Sequence, residues 1–328
     1  MWSVFPAAPV AFSDATPDES GRTLTVALDG TGQFRSIQDA VDHAADGDTI
    51  LIKAGEYHED ITIHSRERLR LTGEGMDRVA IHGRNRVGAV HIGKWPYGAS
   101  DVEVSGVTIH QRGGLALGMF NGRGISLRGV RVNGPVFIQQ VLGVRIEDSM
   151  IGGSETTGIS LADSQATLVG NVIHDNDHGI TVTGRSDVRL ERNVITRSLF
   201  EGVVVMDHAR AVLISNTIVK NGGGAAFQGS CVGEVTGNIV SFNRRGFLVD
   251  PSSRVRFAYN ALHNAEGNYL RPGPSPIPAP ELRAPSDVVG DPRFVNPDRD
   301  DFHLRPDTPL VELGGFSYLG ALAPLASP

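Results

Sequence analysis

The chain has 328 residues, a formal net charge of −7, 40 glycines and a single cysteine, Cys231. The acidic balance argues against a nucleic-acid partner, one cysteine excludes an intramolecular disulfide framework, and no apolar run reaches the ~18 residues of a membrane helix. Only Lys53, Lys94 and Lys220 are lysines, and the arginines form no basic stripe.

Residues 1–20 read as a flexible tail. They lack the basic start and continuous apolar core of a secretory signal, so the expected compartment is the cytoplasm unless an export signal has been removed. Residues 21–69 read as an amino-terminal cap. Within them Ile37, Ala40, Val41 and Ala44 fall on one helical face, with Ser36 as N-cap and Gly47 as a stop, which predicts an amphipathic helix over about 36–45.

From residue 70 to 264 the chain repeats. Asn171, Asn193, Asn216, Asn238 and Asn260 recur every 22 or 23 residues, each in a short apolar phrase: LVGNVI, LERNVI, LISNTI, VTGNIV and FAYNAL. A second phrase keeps step with the first, in which Gly158, Gly179, Gly202, Gly224 and Gly246 each precede alternating apolar positions. Earlier copies, VSGVTI, LRGVRV and IEDSMI, keep the frame without the asparagine. A period of this length marks a stacked one-dimensional architecture. Its runs are short, rich in Val and Ile, and broken by Gly, Asn, Asp and Ser, which is the chemistry of strands and turns.

The expectation is therefore one all-β domain, a single-stranded right-handed parallel β-helix of about 22 residues per rung. The in-register asparagines should form an internal ladder. Asn176, Asn221 and Asn243, in another shared phase, suggest a second, outer ladder. Residues 265–328 read as a proline-rich strap, RPGPSPIPAPELRAP, followed by a carboxy-terminal cap. Cys231 falls where a rung carries an apolar or turn residue and reads as a buried thiol.

The phrase DGTGQFRSIQDAVDHAADGDTILIKAGEYHE, Asp29 to Glu59, resembles the opening of pectin methylesterases and of other right-handed β-helix proteins of the pectin lyase-like superfamily. The closing segment, VGDPRFVNPDRDDFHLRPDTPLVELG, is similar to that of many polysaccharide lyase-like chains. The resemblance implies the β-helix fold and a polysaccharide or oligosaccharide as partner. It does not extend to the reaction motifs. Where methylesterases carry a Gln-Asp-Thr phrase this chain reads VFIQQVLGV around Gln139 and Gln140, and the double aspartate of polygalacturonases and the Asp-Pro-His-Asp of mannuronan epimerases are missing.

Alternation along the strands points Ile159, Leu161, Ile180, Val182, Val203, Val205, Ala225 and Phe227 inward, and Ser160, Thr181, Val204 and Ala226 outward. That small-residue floor has two polar rims. One carries Thr157, His178, Glu201, Gly223 and Arg245; the other carries Asp163, Arg185, Asp207 with His208, Ser230 and Asp250.

β-Elimination on an acidic polysaccharide needs a cation for the sugar carboxylate and a base for the neighbouring proton, which Arg245 or Arg185 and His178 could supply. Hydrolysis needs two carboxylates, and Asp163 and Asp207, two rungs apart, would be separated by ~9–10 Å, near the inverting spacing. The candidate catalytic residues are thus His178, Glu201, Asp207, His208 and Arg245, with Asp163, Arg185, Trp95 and Tyr97 as candidate substrate contacts. Trp95 and Tyr97 lie in the KWPYG loop, a sugar-stacking platform or a packed cap.

The function these residues suggest is a lyase, hydrolase or epimerase acting on an acidic polysaccharide; the alternative is a non-catalytic β-helix that binds glycans or proteins. No resident cofactor is expected. His174 and His178 in HDNDHG have ligand-type side chains, but a turn does not bring both rings to one side, and the acidic turn at Asp298, Asp300 and Asp301 leaves calcium as the divalent cation to consider. His64, His82, His91 and His110 share no evident phase and read as scattered.

Overall fold

The computed structural model describes residues 21–85 and 88–325. The tail expected over residues 1–20 lies outside them. Strands are paired in three eleven-stranded sheets in which each strand neighbours its copies on the rungs before and after. One rung runs from the first sheet (Gln165–Val169) through the second (Val172–His174) to the third (His178–Thr183), then starts again at Asp187–Glu191. The ladders of all three sheets are parallel throughout the coil, which is the all-β solenoid that the repeat predicts. Pairing begins with Thr23–Val26 on Thr49–Ile52, ahead of the point at which the repeat is legible in the sequence.

The core is a single column of inward side chains. Ile159, Leu161, Ile180, Val182, Val203, Val205, Ala225 and Phe227 are all buried within it. The helix spans Ile37–His43, with the Ser36 hydroxyl accepting from Asp39 N–H at 3.2 Å. It ends at Ala44, before Gly47, and packs Ile37, Ala40 and Val41 against the first turn of the coil. An open end of such a coil exposes unpaired strand edges and core side chains, and this helix covers them.

The turn between the first and second sheets holds the asparagine ladder. Asn171 Nδ2 donates to Asn193 Oδ1 at 2.9 Å, Asn193 to Asn216 at 2.9 Å, Asn216 to Asn238 at 3.0 Å and Asn238 to Asn260 at 3.0 Å. Each amide also donates to a backbone carbonyl a rung earlier, as Asn216 Nδ2 does to Leu190 O at 2.8 Å. Buried Asp287 closes the column, accepting from Asn260 N–H at 2.7 Å and from the Tyr269 hydroxyl at 2.5 Å. Burial and the neighbouring Asp287 push the Tyr269 hydroxyl far above its usual range.

The second ladder is internal, not outer. Asn176, Asn221 and Asn243 are buried, and the column continues through Asn264 to Asn268. Ser198 occupies the intervening rung, donating its backbone N–H to Asn221 Oδ1 at 2.8 Å. Buried backbone groups at a turn need partners, and an in-register amide column supplies both donors and acceptors without water. Cys231 is fully buried in a third turn column, its thiol 3.4 Å from Ser253 Oγ, and burial raises its pKa.

The proline-rich strap joins the third sheet only at its edge, where Ile277–Pro278 pairs antiparallel with Leu270 and Arg271. An edge tolerates the missing N–H of proline. Beyond the strap, Phe294, Phe302, Leu304, Leu310 and Leu319 form a second core over the outer face of the second sheet, on Val194, Val219, Ile239 and Ala261.

Candidate functional site

The third sheet places Thr157, His178, Glu201, Gly223 and Arg245 in one row, each directly paired with the next or with the residue two positions along that keeps register. His178, Glu201 and Arg245 meet there. Glu201 Oε2 lies 3.6 Å from His178 Nδ1, and Oε1 lies 3.6 Å from an Arg245 guanidinium nitrogen. Gly223, on the rung between Glu201 and Arg245, is what permits the second contact. A Cβ at this glycine would stand 3.1 Å from Glu201 Cγ and 3.3 Å from its Oε1.

The group is partly withdrawn from solvent. The Glu201 side chain is 16% exposed and that of Arg245 21%. His178 Nδ1 and Arg245 Nε are buried atoms without a hydrogen-bond partner. Phe200 stacks on the His178 ring at 5.1 Å between centroids and fixes its plane. Sequence phase does not reveal this contact, because Phe200 precedes the strand and belongs to no repeat column.

The floor beside the row is as small as expected, but part of it is closed. Ser160 and Thr181 are half-exposed, whereas Val204 is 3% exposed and Ala226 is fully covered.

The other rim is separated from the triad by the length of the strand. Six steps of chain separate Glu201 from Asp207, up to ~20 Å at the rise of an extended strand. Asp163 and Asp207 are exposed, adopt left-handed backbone conformations, and hold the same turn from opposite sides. Asp163 Oδ1 accepts from Arg185 N–H at 2.9 Å, and Asp207 Oδ2 accepts from Gly184 N–H at 3.0 Å. His208 and Arg185 are exposed there. Thus the structure brings together His178, Glu201 and Arg245, and keeps Asp163, Arg185, Asp207 and His208 as a separate group.

Trp95 and Tyr97 project into solvent, 76% and 60% exposed. Trp95 and Lys94 edge a cleft of about 760 Å³ with Thr62, His91, Phe120, Gln139 and Gln140. Its floor belongs to the third sheet, as the triad does, but to the other end of the strands, since Gln139 pairs with Ala162 and Ala162 with Thr183, five positions on from His178. From the Gln139 rung to the His178 rung is two steps of ~4.8 Å, and the five strand positions between Thr183 and His178 add ~16 Å across the sheet.

His174 binds Asp175 instead of joining His178: its Nδ1 lies 2.7 Å from Asp175 Oδ2. Asp300 reaches the coil, contacting Arg197 and Lys220, the latter at 2.9 Å. No group of three or more His, Cys, Asp or Glu suited to a metal ion occurs among the described residues, and among them no helix is long and apolar enough to cross a membrane.

A parallel coil with an amide column at the turn between its first and second sheets, an amino-terminal helix lid and a polar row on its third sheet defines a parallel β-helix. Sequence comparison agrees: the family described as right-handed β-helix region matches residues 76–195 and 157–271, and the chain belongs to it. The pectinesterase family matches residues 23–112. No curated protein matches the chain.

Among solved structures, pectate lyase Pel9A is similar over 94% of this chain and 97% of its own, at 13% identity and a TM-score of 0.56. The mannuronan C-5 epimerase AlgE6 A-module of Azotobacter vinelandii is similar over 78% and 93%, at 13% identity and a TM-score of 0.50. The active domain of bacteriophage CBA120 tailspike protein 2 is similar over 83% and 51%, at 9% identity and a TM-score of 0.53. Likeness at these identities concerns the fold.

Proposed function

We propose that this protein acts on an acidic polysaccharide by abstracting the proton next to a sugar carboxylate, as a lyase or an epimerase. The observation that carries this reading is the meeting of His178, Glu201 and Arg245 on one strip. Arg245, whose Nε lacks a partner, is suited to neutralise the carboxylate and so acidify the adjacent C–H. His178 is suited to take the proton, with Phe200 holding the ring and Glu201, 3.6 Å away, balancing its positive charge.

Hydrolysis is supported less well. It requires two carboxylates about the scissile bond, and Glu201 is the carboxylate of this row, while Asp163 and Asp207 are engaged in turn hydrogen bonds on the far rim. Two solved structures of this fold carry the names pectate lyase and mannuronan C-5 epimerase, and both names describe work on uronate polymers. Trp95, Tyr97 and Lys94 in this reading hold the polymer farther along the sheet.

The test is an assay on polyuronates for an unsaturated uronate chromophore and, by NMR, for inverted C5 centres. His178→Ala and Arg245→Ala should each abolish the change, while Asp207→Asn should retain it. Polymer binding that survives with no product in the intact protein would instead favour a glycan-binding module. New reducing ends without the unsaturated chromophore, lost on Asp207→Asn, would favour hydrolysis.

A further inference from the structure

The carboxy-terminal cap covers only the later rungs of the second sheet, and the earlier rungs of the same face are open and polar. There His58, His82 and His110 occupy one register position on three successive rungs. Their rings stack, with centroids 4.8 and 4.7 Å apart and the second pair within 9° of parallel. This shared row replaces the scattered placement that the sequence suggests for His82 and His110. His82 and His110 line a cleft of about 690 Å³ with Arg84, Gln111, Arg112 and Asn133.

The stack is unsuited to a metal ion. Nearly parallel rings send their lone pairs out side by side at this spacing, whereas two nitrogens on one zinc must converge to ~2.0–2.1 Å from it. It is instead a stack of rings beside an open cleft. His110 Nδ1 accepts from the Asn133 amide at 2.9 Å, the role of a neutral ring, and His82 Nε2 is a buried atom with no partner. Burial, then His82 and Arg131, hold the His110 pKa below its usual value.

Charges around the stack leave a cationic excess. Arg131 is paired with Asp77 at 2.8 Å, Arg78 with Glu74 at 3.3 Å, and Asp60 accepts from Arg84 N–H at 2.8 Å. Glu56 is the carboxylate that favours protonation of His110, and Arg112 opposes it. Among the described residues neither the Arg84 nor the Arg112 guanidinium has a carboxylate partner. Gln111 Oε1 is a buried acceptor without a donor.

We propose that this cleft is a second binding site, distinct from the third-sheet strip, for a carboxylate-bearing saccharide, and that it fills as the imidazole stack takes up a proton. Arg112 and Arg84 receive the carboxylate, and a sugar hydroxyl donates to Gln111 Oε1. The anion supplies the charge that lets a stacked imidazole become cationic, so affinity rises as pH falls through the imidazole range. The site stands whether or not the third sheet catalyses anything.

The experiment is calorimetric titration of the intact chain with trigalacturonate and, as neutral control, maltotriose, in two buffers of different ionisation heat. The background is Arg245→Ala, which disables the other strip. Trigalacturonate should bind in that background, with affinity about tenfold or more higher at about pH 5.5 than at about pH 7.5 and with buffer-dependent heat showing proton uptake. Adding Arg112→Ala, or His82→Gln with His110→Gln, should remove it. Arg112 is exposed, so its variant tests the site even if the histidine pair is needed for folding. No binding in the Arg245→Ala background, equal affinity at both pH values, or equal binding of maltotriose would overturn the proposal.

Discussion

Glu201 and Arg245 face each other at 3.6 Å across a rung that contributes no side chain, because the residue between them is Gly223. A glycine here serves contact, not backbone freedom, so its substitution separates function from fold. Gly223→Val should turn the Glu201 carboxylate away from Arg245 and lower turnover on a polyuronate by about 10²-fold, the lower range for losing a positioned acid–base group. The neighbouring contacts are with a flexible side chain, so the melting temperature should change little. Equal loss of fold and turnover would refute this role.

The asparagine column makes a contrasting demand, in which stability changes and chemistry does not. Asn216 is fully buried and joins Asn193, Asn238 and the Leu190 carbonyl. Asn216→Ala strands a donor on Asn193 and the Leu190 carbonyl together, at about 1–3 kcal/mol for each unsatisfied group. Denaturant unfolding should show a loss of about 3 kcal/mol or more. Asn268→Ala, at the end of the other column, should cost less, since only Asn264 leans on it through the side chain.

Much of this architecture was legible from residue spacing. Asn171 to Asn260 keep a nearly constant period because a rung with fixed turn lengths cannot change length without breaking the ladder, and Ile180 or Val203 face inward by simple alternation. His178, Glu201 and Arg245 shared a phase for the same reason. What spacing could not say is which polar column would converge. Asp207 lies in step with its neighbours, yet its carboxylate is taken by the Gly184 N–H. The histidine stack escaped because the early rungs differ in length, so His58, His82 and His110 pair in space without a common interval in sequence.

Acid should release the carboxy-terminal cap before the coil. Arg197 binds Asp175 through Nε and Nη2, at 2.7 and 2.8 Å, and its third nitrogen contacts Asp300 of the cap. Hydrogen bonds from Arg197, then from His174, hold the Asp175 carboxyl far below its ordinary range. A carboxyl depressed in the folded state contributes stability that is fully present above its unfolded value of ~3.9 and is lost as pH falls towards the folded one. Residues 294–322 should therefore lose hydrogen-exchange protection, relative to the intrinsic rate at each pH, below about pH 4 while strands such as Val194–Thr196 stay protected. In Asp175→Asn the cap should already be loosened at neutral pH and gain little further sensitivity to acid. Unchanged exchange in that variant would remove the clamp from the account.

Trp95 offers a test of how far the substrate strip extends. Its ring is 76% exposed at the edge of the Gln139 cleft, on a loop four rungs from His178, and an exposed aromatic face offers a stacking surface for a sugar ring. A polymer that spans both places gains binding from the aromatic ring, whereas an oligosaccharide too short to bridge ~20 Å does not. Trp95→Ala should therefore raise KM for long polyuronates by about tenfold, equivalent to ~1.4 kcal/mol, and leave kcat intact. For di- and trisaccharides both constants should stay where they were. A fall in kcat for short substrates would mean that Trp95 supports the His178 site itself, and an unchanged KM for long ones would confine the substrate to the triad.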